Sequence, residues 1–207
     1  MKSIKIALTS MFLILSSYAS AVEISSNVGL SSDYIWRGMS QTKGDLAVNG
    51  GFDLSTDMGF YIGTWASNAN YTDTSMELDI YLGFSGEMAE NMTYDVGYIS
   101  VIYPGNDSLD FEEAYVGFNI YGLSILYSDG QNDMPSYSEI GYSVDAGPGS
   151  FSISYGEYED NGDNSLVGYD WSVGDFSLGF YYFDFEADPN STNVDDDGAY
   201  VSLSRSF

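Results

Sequence analysis

Apolar and polar residues alternate along most of the chain with a period of two, and no stretch of any length has the period of a helix. In residues 76–84 the even positions carry Met, Leu, Ile, Leu and Phe, whereas the odd positions carry Glu, Asp, Tyr and Gly. Residues 139–146 repeat the pattern, with Glu, Gly, Ser and Asp alternating with Ile, Tyr, Val and Ala. This alternation predicts β-strands that have one apolar face and one polar face.

Twelve segments follow this pattern, so the sequence predicts twelve strands. They are residues 22–36, 46–55, 60–67, 76–86, 92–103, 111–120, 123–128, 137–146, 150–158, 166–173, 176–185 and 199–207. In the fifth segment the alternation fails at Ile99 and Val101, which predicts a bulge or an altered strand end. All four prolines fall between or just after segments, as expected because proline removes a hydrogen-bond donor from a strand pair.

The predicted connections alternate between short and long. The short ones are 56–59, 86–91, 121–122, 146–149 and 174–175, and the long polar ones are 37–45, 68–75, 104–110, 129–136, 159–165 and 186–198. An even number of antiparallel strands with this alternation is typical of an outer-membrane barrel, whose tilted strands need about ten residues to cross the hydrocarbon layer. Such a sheet must close on itself, because lipid offers no partner to an open edge.

The sequence therefore predicts an all-β fold, a closed antiparallel transmembrane β-barrel of about 12 strands. The turns are expected to be periplasmic and short, and the loops extracellular, longer and acidic. A soluble β-sandwich shows the same alternation of faces and is the alternative. The 19 tyrosines and 12 phenylalanines favour the barrel, because aromatic residues collect at both membrane interfaces.

The N-terminal segment, residues 1–21, has the features of a secretory signal peptide. Lys2 and Lys5 precede an apolar run at 6–15, and small residues at 19–21 form the cleavage site. The apolar run is too short to cross a membrane as a helix. Residues 22–207 are then expected to form a single barrel domain, exported through the periplasm to the cell outer membrane.

Charge and composition narrow the possible partners. Without the signal peptide, three cations (Arg37, Lys43 and Arg205) remain against 31 carboxylates, a net charge of −28. This argues against nucleic acid and against binding to anionic lipid through a basic patch. The chain has no His and no Cys, so catalytic triads and zinc sites of the usual kinds are excluded.

The C-terminal segment, residues 199–207, resembles the terminal strand by which outer-membrane barrels are recognised for assembly. Apolar residues alternate along it and the last residue is Phe207. Arg205 departs from the pattern, because it occupies an apolar-face position, but a long cation near the membrane rim can extend to the headgroups. The assembly machinery of the outer membrane is therefore an expected partner. The other expected partners are the outer-membrane bilayer and the small solutes or cations that pass through the barrel.

Five blocks resemble the TorF family of porins, proteobacterial proteins that carry a signal peptide. They are "SSDYIWRGMSQT" (31–42), "AVNGGFDLS" (47–55), "GFYIGTWASN" (59–68), "ELDIYLGF" (77–84) and "YDVGYISVIYP" (94–104). The resemblance is strongest over residues 28–127. It implies an outer-membrane β-barrel and a channel, and it implies no particular substrate.

The polar faces supply the candidate pore-lining residues. They are Arg37, Asp53, Glu77, Asp79, Asp95, Glu113, Glu139, Asp145 and Asp170. Acids in such positions attract cations and repel anions. Arg37 is expected at the inner rim, either as a fixed cation that pairs with interior acids or as a rim salt bridge that holds the first loop. Tyr34 and Trp36, of opposite parity, are expected to face lipid.

These features predict a channel for passive diffusion of small solutes that favours cations or neutral molecules. The alternatives are a non-conducting structural or surface-interaction barrel and, last, a hydrolase that uses a carboxylate pair. No pair of acids stands out, so we expect no enzyme and assign no catalytic residue. The loops at 128–133, 159–164 and 193–198 are rich in Asp and Asn but lack the spacing of a calcium loop, so no metal site or cofactor is predicted.

Overall fold

One antiparallel sheet, rolled into a barrel, forms nearly all of the structure. The computed structural model describes residues 21–132 and 134–207, so the predicted signal peptide lies outside the described residues apart from Ala21. The strands are β1 (Val22–Ser31), β2 (Ile35–Trp36), β3 (Met39–Ser40), β4 (Ala47–Thr56), β5 (Phe60–Tyr71), β6 (Thr74–Ala89), β7 (Met92–Ile102), β8 (Phe111–Ile120), β9 (Leu123–Gly130), β10 (Tyr137–Ala146), β11 (Gly149–Tyr158), β12 (Gly162–Val173), β13 (Phe176–Ala187) and β14 (Asp196–Ser206). One 3-10 turn, Asp107–Leu109, is the helical element among these residues.

Twelve of the strands close the barrel, and β2 and β3 form a separate small hairpin. The order around the wall is β1-β14-β13-β12-β11-β10-β9-β8-β7-β6-β5-β4, and β4 pairs back onto β1. All neighbours are antiparallel, which confirms the predicted twelve-stranded closed barrel. The β1–β14 seam has a register of five pairs, from Asn27 opposite Ser206 to Ser31 opposite Ser202. Reciprocal backbone hydrogen bonds between Ser26 and Phe207 extend this seam.

The apolar stripe of each strand faces outward. Ile24 and Phe52 are 73% and 66% exposed, and apolar residues of the other strands form a belt of the same kind around the wall. The polar stripe faces inward, because neighbouring residues of a strand point to opposite sides of the sheet. Apolar side chains on the outside and polar ones on the inside are the arrangement of a barrel in lipid. No helix within residues 21–132 and 134–207 has the length and hydrophobicity to cross a membrane.

The strands extend beyond several predicted boundaries. The connections predicted at 68–75 and 159–165 shrink to two residues between β5 and β6 and three residues between β11 and β12. Strands that continue past the hydrocarbon layer meet water on their outer face, so they lack the apolar stripe that marks a strand in the sequence. We call this end of the barrel the loop end and the opposite end, where β1 begins and β14 ends, the turn end.

The bulge or altered strand end predicted at Ile99 and Val101 is absent. Both residues lie inside β7, whose pairing with β6 and β8 is continuous there. The alternation fails because they are apolar residues on the inner face, where Val101 packs with Ala69 and Tyr103. The register shift between β6 and β7 occurs instead at Glu87 and Ala89, beside a turn.

Candidate functional site

The barrel interior carries all of the predicted acids. Asp53, Glu77, Asp79, Asp95, Glu113, Glu139, Asp145 and Asp170 all occupy inward-facing positions in the strand register. Their burial increases toward the loop end: Glu77 and Glu113 are 3% and 4% exposed, whereas Asp145 at the turn end is exposed. The structure thus places these acids inside the barrel, and their role in lining a water pathway stays a prediction.

Tyrosine hydroxyls donate hydrogen bonds to most of these carboxylates. Tyr61 binds Asp95 at 2.6 Å and Tyr81 binds Asp53 at 2.6 Å, each from a strand close to that of the acid. The further pairs are Tyr34 and Tyr103 with Glu77, Tyr137 with Glu139, and Tyr181 with Asp170. Hydrogen bonds to an ionised acceptor are stronger than neutral ones, so each carboxylate is held in one orientation against the wall.

The interior tyrosine rings lie over glycines of neighbouring strands. A Cβ on Gly97 would approach the Tyr115 hydroxyl to 2.5 Å, and a Cβ on Gly168 would approach Tyr181 Cδ1 to 2.6 Å. A ring in such a position lies along the wall instead of crossing the interior. The small residues of the inner face therefore leave room for the rings, and the rings leave room in the centre.

Aromatic residues are expected mainly at the membrane interfaces, whereas the structure places many tyrosines inside the barrel. The inner-face tyrosines include Tyr61, Tyr81, Tyr115, Tyr137 and Tyr181. Their positions have the same parity as the acids and glycines of their strands. That parity is the sequence signal that could have identified them.

The first loop folds into the barrel. We call residues 32–46 the inward loop; it contains the β2–β3 hairpin, in which Ile35 pairs with Ser40 and Trp36 with Met39. The two turn residues, Arg37 and Gly38, have φ of 48° and 78°. Two positive φ values are typical of a type I′ hairpin turn, but they are uncommon for an arginine. A strained backbone at a non-glycine residue persists only where surrounding contacts hold it.

Arg37 supplies such contacts at the hairpin tip. Its two terminal nitrogens bind the two Glu113 oxygens at 2.7 Å each, and both side chains are almost fully buried. Its guanidinium also lies 4.3 Å from the ring centre of Trp36 and 4.1 Å from that of Tyr137. Glu113 is on β8, five strands from β1 in one direction and seven in the other. The ion pair therefore ties the loop to the opposite wall of the barrel.

Polar contacts hold the base of the inward loop. The Asp33 carboxylate accepts hydrogen bonds from the Ser40 and Thr42 hydroxyls at 2.7 Å each. The loop is joined to the wall by the Ser40 N–H, which donates to Asp196 at 2.9 Å. A second link runs from the Asn70 N–H to the Gln41 carbonyl at 2.8 Å. The loop is thus fixed at its base as well as at its tip.

Tyr34 fixes the middle of the inward loop. Its hydroxyl donates to Glu77 at 2.6 Å, and its ring packs edge-on against Trp65, 5.2 Å between centroids. Burial and the nearby Glu77 carboxylate raise the pKa of Tyr34 well above its ordinary value. The hydroxyl therefore stays protonated and remains a donor across the pH range in which the protein would function.

The prediction that Tyr34 and Trp36 face lipid is wrong. Both rings lie inside the barrel, where Trp36 packs against Phe111 and Tyr158. The reason is that β1 ends at Ser31, so the parity of the strand does not continue through residue 36. Arg37 does not lie at a rim either, since it reaches the interior acid Glu113.

The inward loop separates two cavities, and Trp36 borders both. The outer cavity, about 410 Å³, opens toward the loop end and is lined by Trp36, Tyr71, Tyr103, Phe111, Tyr158 and nine further residues of the inward loop, the other loops and β14, Asp196 among them. The inner cavity, about 260 Å³, lies deeper and is lined by Arg37, Tyr137, Glu139 and residues of β9, β11, β12 and β14. The hairpin thus lies between the two cavities, across the interior.

In the part of the chain that the structure describes, no three acidic side chains come together in a group that could hold a metal ion. Of the other cations in the described residues, Arg205 is partly exposed and pairs with Asp175 at 3.0 Å at the turn end, and Lys43 is exposed on the inward loop.

This fold is that of outer-membrane barrel proteins. Pseudomonas aeruginosa OprD aligns with a TM-score of 0.50 and 8% identity over 90% of this chain, and the match covers 66% of OprD, slightly less than two thirds. LpxR from Salmonella typhimurium aligns with a TM-score of 0.50 and 10% identity, over 88% of this chain and 99% of LpxR. At these identities the likeness concerns the fold alone.

The chain belongs to the Gcw_chp family, described as bacterial proteins of unknown function. The family model matches residues 16–127, more than half of the chain, and this range includes the inward loop and Glu113. None of the curated proteins compared matches the sequence significantly.

Proposed function

We propose that this protein is an outer-membrane channel through which small solutes diffuse passively, with a preference for cations. The observation that carries the proposal is the interior row of tyrosine-held carboxylates, with Asp53, Asp95 and Asp170 along the wall and Asp145 exposed at the turn end. Twelve strands enclose more space than the eight-stranded barrels that side chains fill and less than the wide porins. A narrow interior strengthens the effect of each charge on a passing ion.

The orientation follows from the ends of the barrel. The start of β1, the end of β14 and the short turns would face the periplasm, and the loop end, from which the inward loop folds into the barrel, would face the outside. The bilayer would contact the apolar belt, and the β14 strand ending near Phe207 would be recognised by the assembly machinery. The resemblance to TorF porins supports this proposal through residues 31–42 and 59–68 taken together, and the first of these blocks forms most of the inward loop.

The inward loop would set the pore size. Trp36 borders the cavities on both sides of the hairpin, so a solute that passes from one to the other must pass the hairpin. The same observation favours the second candidate function, a non-conducting surface-interaction barrel whose interior the loop closes. Electrical recording distinguishes the two.

Refolded protein in a planar bilayer should show discrete conductance steps in potassium chloride, and a salt gradient should give a reversal potential of cation-selective sign. The double variant Asp95→Asn/Asp170→Asn should reduce that selectivity. In a water-like medium, a carboxylate about 8 Å from a passing cation attracts it by about 0.5 kcal/mol. Removing one carboxylate should therefore lower the permeability ratio about twofold. We therefore expect about a fourfold lower ratio of potassium to chloride permeability.

The matched control is Asp57→Asn/Asp175→Asn, which removes two acids from exposed turns at the turn end of the barrel. It should leave the reversal potential nearly unchanged, because exposed charges in salt are screened. Anion selectivity of the wild type would refute the cation preference. A complete lack of steps, also in variants with a weakened inward loop, would favour the non-conducting barrel.

A further inference from the structure

The outer cavity has the lining of a small-molecule site. Five aromatic side chains, Trp36, Tyr71, Tyr103, Phe111 and Tyr158, contribute to it, and its volume of about 410 Å³ falls in the range of ligand pockets. Several of these rings contact one another: Trp36 lies 5.6 Å from Phe111, and Tyr71 lies 5.6 Å from Tyr103. The cavity therefore offers grouped aromatic surfaces just above the hairpin.

The polar atoms of these tyrosines are already engaged. The Tyr71 hydroxyl binds Gln41, the Tyr103 hydroxyl binds Glu77, and the Tyr158 hydroxyl lies 3.3 Å from the Met134 sulfur. What the three tyrosines present to the cavity is thus mainly ring surface. A ligand that depends on ring faces gains more here than one that depends on tyrosine hydroxyls.

The amide side chains of the cavity are also engaged with protein groups. Gln41 donates to the Met39 carbonyl at 2.9 Å, Asn193 donates to the Asn161 side chain at 2.9 Å, and Asn161 donates to the Glu159 carbonyl at 2.9 Å. A polyhydroxyl ligand such as a sugar needs several donors and acceptors. Each of these amides already uses one N–H on a protein group, which leaves fewer donors for such a ligand and disfavours a sugar.

Charge then selects among ligands that bind ring faces. Asp196 is the one charged residue of the cavity lining within the described chain. Acids outnumber cations on the loops at this end: Lys43 is the one exposed basic residue there among the described residues, against Asp45, Asp73, Asp107, Asp110, Glu159, Asp160, Asp188 and Asp195. The Arg37 guanidinium lies over the rings of Trp36 and Tyr158, 4.3 and 5.2 Å from their centres, but its charge is paired bidentately with Glu113. Clefts lined by one sign of charge raise the local concentration of the opposite ion.

From these observations we infer that the outer cavity binds small organic cations of the substituted-ammonium class. These cations carry apolar groups around a charged nitrogen, and such groups are attracted to aromatic faces. The acidic loops raise the local concentration of the cations. The inference deepens the proposed function and rests on it in one respect, because the bound cation would be the solute that the channel admits. The binding itself does not require conduction.

Tryptophan fluorescence offers a direct binding test. The variant Trp65→Phe/Trp171→Phe keeps Trp36 as the one tryptophan, at the floor of the cavity. We expect choline to quench the Trp36 fluorescence saturably. The uncharged isostere of choline, which carries a tert-butyl group in place of trimethylammonium, should bind at least about tenfold more weakly. The detergent should be a maltoside, because a phosphocholine headgroup resembles the probe.

Two leucine substitutions on one strand give the matched comparison. Phe111→Leu removes an aromatic face from the cavity and should raise the half-saturating choline concentration about fivefold. Phe118→Leu, on the lipid-facing side of the same strand, should leave it within about twofold.

Equal binding of the uncharged isostere, no saturable response, or a response that Phe111→Leu leaves unchanged would each overturn the inference. Potassium conductance measured on the same preparation separates the two proposals. Conductance without choline binding would refute the cation site alone, and choline binding without conductance would refute the channel alone.

Discussion

Replacing Arg37 by alanine will increase the single-channel conductance several-fold and lower the free energy of unfolding. The variant leaves Glu113 as an unpaired charge that is only 4% exposed. Breaking a buried ion pair from one side typically costs about 3–5 kcal/mol. It also removes the contacts that hold a residue with positive φ at the hairpin tip. The rearrangement with the lowest free-energy cost is movement of the hairpin tip out of the interior, which exposes Glu113 to water and widens the pathway.

Planar-bilayer recording and urea unfolding in lipid vesicles measure the two effects. Arg205→Ala is the control, because it removes the exposed Arg205–Asp175 pair, which we expect to contribute about 0–1 kcal/mol. The double variant Arg37→Ala/Glu113→Gln should keep the high conductance and recover part of the stability, since no buried charge is left unpaired. A wild-type conductance for Arg37→Ala would mean that the hairpin does not narrow the pathway.

Adding one methyl group at Gly38 will also open the channel, whereas the same change at Gly44 will not. Both glycines lie in the inward loop with φ of +78°. A Cβ at Gly38 would lie 2.6 Å from Asn164 Cβ on β12 and 3.1 Å from Phe185 Cβ on β13, and a Cβ at Gly44 would meet nothing within 4 Å. The backbone strain, about 1–2 kcal/mol for a left-handed alanine, is common to both variants.

The difference between the two variants therefore isolates the contact of the hairpin tip with the wall. We expect Gly38→Ala to raise the conductance severalfold and to make the current noisier, and Gly44→Ala to match the wild type. Circular dichroism and heat-modified gel mobility would verify that both barrels fold. Equal conductance of the two variants would contradict the packing of the tip against β12 and β13.

The faces of the barrel could be predicted from the sequence because a strand repeats every two residues. Once the alternation is recognised, parity alone assigns Asp53, Asp95 and Asp170 to the interior, since each lies between outward-facing apolar residues. Parity fails where the strand stops. The predicted first strand continued through Trp36, because residues 31–36 carry no proline or glycine to mark the end at Ser31.

The inward loop also could not be predicted, and the reason is different. Its position depends on contacts between residues far apart in the chain, such as Arg37 with Glu113 and Gly38 with Asn164. No local pattern encodes a partner five strands away. The turn also lacks the usual signal, because hairpins with two positive φ values favour Asn-Gly or Asp-Gly, and this one has Arg-Gly. Arg37 is recognisable in the sequence as an unusual cation, but nothing in the sequence identifies Glu113 as its partner.

The most direct test of a polar, water-filled interior within an apolar outer surface is the reactivity of single cysteines in a bilayer. The chain has no cysteine, so Ser152→Cys on the inner face and Ile153→Cys on the outer face of β11 each introduce one thiol. A positively charged thiol reagent that cannot enter lipid should modify Ser152→Cys at least about tenfold faster, because only a hydrated thiol ionises readily. Equal rates, or faster modification at position 153, would contradict the assignment of the two faces on which the channel rests.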